Sequence, residues 1–241
     1  MEKSFFEANH CRRSVRKYDP NKPLDKREVQ KCIHEATLAP SSSNLQLWEF
    51  YHITNQKILK KISKACFGQS AASTALQLVV TVVRKDLWKK RAAANLKFLT
   101  DHFKDLKIRN EKREQRTIQY YQKLIPTLYR EFMGIQGLIK KIIVTVTGIF
   151  RPMYREVSAG DLRVVAHKST ALAAQNFLIA MASKGIDTCP MEGFDSMRVK
   201  QILGLPKKAE ISMIIGCGYR DEAGIHGPQF RVPFEEVYQE V

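Results

Sequence analysis

The 241-residue sequence is poor in the groups that most often announce a reaction. Its five cysteines, Cys11, Cys32, Cys66, Cys189 and Cys217, are odd in number, widely spaced and without a C-x-x-C pair. That excludes a disulfide scaffold, argues against a structural zinc site and points to a reducing compartment. The histidines, His10, His34, His52, His102, His167 and His226, show no H-E-x-x-H spacing, and each reads as structural. There is no G-x-S-x-G elbow and no Walker loop, and the glycines at 216–218 close an apolar run without forming a dinucleotide fingerprint. No long apolar run follows the N-terminus, whose one apolar pair is Phe5 and Phe6, so no secretory leader is expected and the chain reads as cytoplasmic. Acidic residues are also scarce: 24 Asp and Glu face 40 Lys and Arg, a net charge of +16. Such an excess calls for an anionic partner: a phosphate ligand, nucleic acid or an acidic membrane face.

What is present is an ordinary globular composition, 44% hydrophobic and 27% charged, on a chain long enough for one large domain or two small ones. Residues 24–40 read as a helix ended by Pro40, with Val29, Ile33 and Ala36 on one face, and 48–53 as a strand. QKILKKISKACF and MRVKQILGL read as short helices, and LQLVVTVV at 76–83 and ISMIIGCGYR at 211–220 as two central strands. A long helix is expected over about 161–184, apolar almost all round and so buried, with Gly185 placed to cap it. Helices and strands alternate, so the class is mixed α and β.

The charge is uneven. Residues 84–156 hold eighteen Lys and Arg against seven Asp and Glu, a net +11. Leu96, Leu99, Phe103 and Leu106 recur there at helical steps, which favours a solvated amphipathic helix over a dedicated anion-attracting surface. The apolar stretch 132–150 carries Lys140 and Lys141 at its middle, each costing about 2.5–3.5 kcal/mol at a bilayer centre. It therefore reads as a segment buried against a partner subunit, with a lid or a shallow interfacial placement as alternatives.

Four small constellations could carry chemistry. RRSVR at 12–16 offers fork-shaped donors and a hydroxyl suited to a phosphate monoester, with added N–H donors if it begins a helix. PSSSN at 40–44 reads as a polar turn that can present hydroxyls and an amide. CPMEGF at 189–194 reads as a loop able to aim backbone N–H groups at a flat ring, or simply as a helix connection. Arg231 lies between prolines in PQFRVP. Each is weak alone, and a surface cluster, a turn or an exposed arginine is its plain alternative.

Together, in this order, the four segments resemble the FMN-dependent nitroreductase family. RRSVRKYD resembles its phosphate motif. APSSSNLQLWEF is similar to its second motif, with Leu47 where a proline is common. AAQNFLIAMASKGIDTCPMEGFD is similar to its long helix and flavin loop, and IIGCGYR with PQFRVPFEEV to its closing strand and last arginine. The resemblance implies an α+β fold, a central mainly antiparallel sheet flanked by helices. It implies one FMN-binding domain over 1–241 with a variable basic helical insertion at about 84–156, and a homodimer with exchanged tails. It implies an NAD(P)H-dependent oxidoreductase that reduces nitroaromatic, quinone or similar small-molecule acceptors by ping-pong transfer at FMN N5, with no catalytic side chain and no metal. Arg12, Arg13, Ser14 and Arg231 would hold the phosphate and ribityl chain, and Arg16 the pyrimidine edge. Pro40, Ser41, Ser42 and Asn44 would come from the other subunit. Pro190, Met191, Glu192 and Gly193 would lie along the ring, with Gln69 in place of the family's usual flavin-edge contacts. Relatives that dehalogenate iodotyrosine or fragment reduced flavin offer a second enzyme reading within the same fold. The competing class is a basic protein contacting nucleic acid or anionic membrane through 84–156. On the flavin reading no nucleic-acid partner is expected, peripheral membrane contact is the weaker alternative, and the choice between NADH and NADPH stays open.

Overall fold

Two apolar runs make the centre of the sheet, and their burial on both faces explains why neither alternates with polar residues. In a computed structural model that describes residues 2–130 and 135–241, β2 (Gln77–Val83) and β4 (Glu210–Gly218) pair antiparallel. β1 (Trp48–Ile53) adds outside β2 and β3 (Asp187–Met191) outside β4, giving the order β1-β2-β4-β3 with every pairing antiparallel. Leu78, Val80, Val82 and Ile214 face one layer of helices. Val79, Ile215 and Cys217 face the other. Successive side chains of a strand point to opposite faces, so a strand covered on both must be apolar throughout.

The first layer holds α3 (Gln56–Ala65), α4 (Ser70–Ser73) and α10 (Ser196–Leu203), which contribute Leu59, Ile62, Ala71, Ala72 and Val199. The second holds α2 (Lys26–Thr37) and α9 (Ala159–Ser183), with Val29, Cys32, Ala36, Phe177 and Met181. α1 (Phe5–Cys11) lies against α9. The expected α+β class holds, with helices on both sides of a small antiparallel sheet. Layer spacing is tight where α4 crosses β4. A Cβ on Gly216 would sit 2.3 Å from the Ala71 carbonyl oxygen, and the buried Tyr18 hydroxyl donates to the Gly216 carbonyl at 2.9 Å.

α9 begins on a capping box, Ser158 with Asp161, and ends as expected at Gly185. Gly185 takes φ +70° and donates to Ala182, and Ile186 donates to Met181, the paired bonds of a Schellman stop. Its burial differs from expectation: Val164 and Leu172 are each half exposed, so one face of α9 is left uncovered by the single chain.

Residues 84–156 fold as helices over the β1 and α9 end of the sheet. α5 (Trp88–Asp105), α6 (Glu111–Gln119) and α7 (Ile125–Tyr129) are followed by α8 (Ile135–Phe150). A π-helical turn, Tyr120–Leu124, joins α6 to α7. Ala92, Ile125 and Tyr129 pack with Leu45, Leu47, Val83 and Leu162, and Trp88 stacks on Tyr129 at 5.8 Å. The expected stripe on α5 faces inward, with Phe103 buried and Leu96, Leu99 and Leu106 half-buried. Residues 132–134 of the apolar stretch lie outside the described residues. Its remainder, α8, exposes Leu138, Ile139, Ile142, Val146 and Ile149. No helix among the described residues is long and apolar enough to cross a membrane.

Candidate functional site

The RRSVR segment is extended, not the start of a helix. α1 ends at Cys11, and Arg12 leaves it at φ −63°, ψ 125°. From there the chain is drawn along the sheet edge: Ser14 bridges Thr188 in parallel, and Val15 donates to the Thr188 carbonyl at 3.1 Å. Arg16 N–H donates to Gly224 at 2.7 Å, and Tyr18 N–H to the Thr74 hydroxyl at 3.2 Å. Val15 and Tyr18 are buried, which turns Ser14 and Arg16 outward. The donors offered here are therefore side chains on a fixed extended backbone, and a helix N-terminus plays no part.

Arg12, Arg13, Ser14 and Arg16 line one cleft of about 180 Å³ with His226, Phe230 and Arg231. Arg13 Nη2 donates to the Gly227 carbonyl at 2.7 Å, tying the two ends of the chain together. Gly227 makes that turn at φ +73°. Burial lowers the Arg12 pKa, and the neighbouring charge of Arg231 lowers it further. Among the described residues no carboxylate forms an ion pair with Arg12, Arg13, Arg16 or Arg231. Four cations thus converge with no internal counter-charge. Such a cleft is matched by a compact anion with several acceptor oxygens.

CPMEGF begins as strand. Pro190 sits in β3, opposite Ile215, contrary to the loop expected from the sequence. An edge strand tolerates proline because an N–H pointing away from the ladder is not needed. The chain then leaves the sheet at Glu192 and Gly193, both exposed. Gln69 reaches them: its Nε2 donates to the Gly193 carbonyl at 2.6 Å. Met191 is buried, and Cys189 lies close enough to Arg12 and Arg16 for their charge to oppose the upward push of burial on its thiol. Gln69 thus lies beside Gly193, just past the end of the strand that is bridged to the RRSVR segment at Thr188.

PSSSN lies elsewhere. Ser42 N–H donates to the Ser169 hydroxyl of α9 at 3.3 Å, and Asn44 Nδ2 to Asn95 of α5 at 2.7 Å. Gln46 N–H donates to Ser41 Oγ at 3.1 Å, and Pro40 is exposed just before the turn. No hydrogen bond among the described residues links 40–44 to the arginine cleft. Ser43, Asn44 and Gln46 all take left-handed φ, 53°, 51° and 48°. For residues other than glycine that is uncommon, costs about 1 kcal/mol or more apiece, and concentrates at functional sites. Leu47, at the position where the motif usually carries proline, is buried, and its carbonyl accepts from Arg84 N–H at 2.9 Å.

The sequence model of the nitroreductase family matches residues 11–219. The chain belongs to this family. A Staphylococcus epidermidis protein named as an NAD(P)H nitroreductase is 27% identical over 233 residues, covering 94% of this chain and 92% of its own length. The solved structure of the Bacillus subtilis protein called nitroreductase ydfN superposes with a TM-score of 0.74 at 22% identity, over 98% of each chain. A nitroreductase of Exiguobacterium sibiricum, solved in complex with FMN, gives 0.66 at 20% identity over 99% of this chain and 98% of that one. The last two carry the fold. The nitroreductase match ends before Arg231, so the place of that arginine rests on the cleft itself.

Two features of the structure have little signal in the sequence. His226 and Phe230 join the cleft from a tail segment with no apolar periodicity, where only Gly227 and Pro228 hint at a turn. The second is a cavity of about 510 Å³ beside Ser42 and Ser43, built by α7, α8, α9 and the π-helical turn. A pair of adjacent tyrosines inside a polar helix was its one available signal. Elsewhere in 84–156 much of the charge is internally used, as in Arg84 with Glu49 and Asp86, Lys97 and Lys104 with Asp101, and Arg109 with Glu114. His52 and His167 bond Gln77 and Glu210, in keeping with structural roles.

Proposed function

We propose that this chain is an FMN-dependent oxidoreductase that uses NAD(P)H to reduce nitroaromatic, quinone or similar small-molecule acceptors, acting as a homodimer. The observation that carries the reading is the cleft where Arg12, Arg13, Arg16 and Arg231 meet without a carboxylate. A phosphate monoester supplies the missing charge and the acceptor oxygens, and the donor set fits it. Arg12, Arg13, Ser14 and Arg231 would grip the phosphate and ribityl chain, with Arg16 at the pyrimidine edge, where a cation favours the reduced, anionic ring. Glu192 and Gly193 would offer backbone N–H groups along the ring, Pro190 and Met191 its underside, and Gln69 an amide at its edge. When bound there, FMN supplies two-electron chemistry between NAD(P)H and an acceptor in alternate half-reactions. The protein's part is orientation and electrostatics, which agrees with the lack of an acid–base set in the sequence.

Support for two subunits comes from what one chain leaves uncovered. Val164 and Leu172 on α9, and Phe230, Phe234, Val237 and Tyr238 on the tail, are exposed apolar groups. Burying them between copies, with tails exchanged, would bring Pro40, Ser41, Ser42 and Asn44 of one subunit to the flavin of the other. On this reading 1–241 is one FMN-binding unit and 84–156 its variable insertion.

Anaerobic spectrophotometry of the FMN-loaded protein tests the activity. NADH or NADPH should bleach the visible flavin band, and a quinone or nitroarene should restore it. A flavin band that neither nucleotide bleaches would overturn the proposal.

A further inference from the structure

The cavity of about 510 Å³ beside the PSSSN turn has a split character. Its walls are hydrocarbon: Leu128, Ile143, Val144, Val157, Leu162 and Val165. Its polar end is the turn itself, where Ser42 and Ser43 meet the Tyr120 hydroxyl, 2.6 Å from Ser43 Oγ. Tyr121 donates to the Ser43 carbonyl at 3.0 Å, so adjacent tyrosines of the π-helical turn hold residue 43, Tyr120 by its side chain and Tyr121 by its left-handed backbone. π-Helical turns recur at functional sites because one extra residue per turn redirects side chains. The roof is fastened as well: Lys140 Nζ of α8 donates to the Leu128 and Arg130 carbonyls at the end of α7, at 3.0 and 2.9 Å. Burial of the Tyr129 ring raises its hydroxyl pKa to about 12, with Tyr154 and Tyr120 nearby adding to the rise.

We propose that this cavity receives the hydrocarbon body of the electron acceptor. The acceptor class is an amphipathic molecule with a reducible polar head, such as a quinone, at the Ser42 and Ser43 end and an aliphatic chain beneath α8. The proposal rests on the flavin reading above, which brings the PSSSN turn of one subunit to the cofactor of the other. A dinucleotide is a poor match, since its phosphates would meet hydrocarbon walls. An alkyl chain gains about 0.8 kcal/mol for each CH₂ removed from water, and two such groups suffice for a tenfold preference.

The test compares one quinone head with and without a decyl chain, using FMN-loaded protein. The decyl form should show a kcat/KM at least tenfold higher. Val144→Trp and, as a milder second variant, Val165→Phe fill the cavity and should bring that ratio close to unity. A second readout needs no turnover: fluorescence of N-phenylnaphthylamine should rise on binding to the parent, be displaced by the decyl quinone, and fall away in both variants. Equal kcat/KM with and without the chain overturns the proposal, as does probe binding that neither variant weakens. A flavin that NADH or NADPH bleaches but no quinone reoxidises also overturns the proposal; a flavin that neither nucleotide bleaches overturns the flavin reading instead, and probe binding then decides separately whether the cavity takes an apolar chain.

Discussion

Removing one guanidinium from the tail separates a ligand-holding role from a structural one. Arg231 is exposed, and among the described residues its one hydrogen bond runs to the carbonyl of its own neighbour, Phe230. Among the described residues it makes no ion pair, and its charge opposes that of Arg12. Arg231→Ala should therefore leave the melting temperature of the FMN-free protein within the range of a neutral surface change, about 0.5 kcal/mol. Bound phosphate changes the balance. A hydrogen bond to a charged group contributes about 1.5–3 kcal/mol. At about 1.4 kcal/mol per decade, the FMN Kd should rise by roughly 10- to 100-fold. Quenching of flavin fluorescence on titration with apoprotein measures that Kd, and calorimetric scanning of the same preparation measures stability. Arg231→Lys should recover only part of the loss, because an ammonium keeps the charge but not the planar fork. Unchanged FMN affinity in Arg231→Ala, or a loss of affinity matched by a loss of apoprotein stability, would mean that Arg231 does not hold the cofactor.

Gly216→Ala should cost about 3 kcal/mol or more and strip most soluble protein from an expression trial, because the new methyl meets the Ala71 carbonyl oxygen at 2.3 Å and backbone cannot step aside. Gln46→Val should lower the melting temperature by several degrees while Gln46→Gly does not, since φ 48° is hard for a β-branched residue and easy for glycine. With a disulfide reagent at mildly alkaline pH, one of five thiols should react quickly in the native protein. Cys11 is partly exposed, while Cys32, Cys66, Cys189 and Cys217 are buried. Burial pushes Cys66 to about 11 and Cys32 to about 12, so these thiols stay protonated. All five should react once the chain is unfolded, and more than one fast thiol would mean the core is more open than described.

The central strands and most helices could be read directly, because burial on both faces demands continuous apolar runs and burial on one face demands helical periodicity. β3 could not. It is five residues long and contains Pro190, and only its place at the sheet edge makes that residue acceptable. The α9 composition looks like a fully buried helix, yet Val164 and Leu172 stay exposed. Composition records that a face is apolar, not whether the same chain covers it. For the site, RRSVR signalled an anion cleft, but the partner arginine lies at the far end of the chain. Its arrival beside Arg12 depends on the turn at Gly227; the Gly227-Pro228 pair signals a turn but not where the chain goes after it. The apolar cavity was hidden for a similar reason: its lining comes from four separate elements, and its shape depends on the π-helical turn at Tyr120–Leu124.

The most direct measurement is a reconstitution titration with FMN followed by desalting and an absorption spectrum. The parent should emerge yellow with one FMN per chain, and an Arg12→Ala, Arg231→Ala double variant that remains folded should emerge without it. Parent protein that emerges colourless from that column, or a double variant that keeps its full complement of flavin, would contradict the claim that these arginines anchor the cofactor.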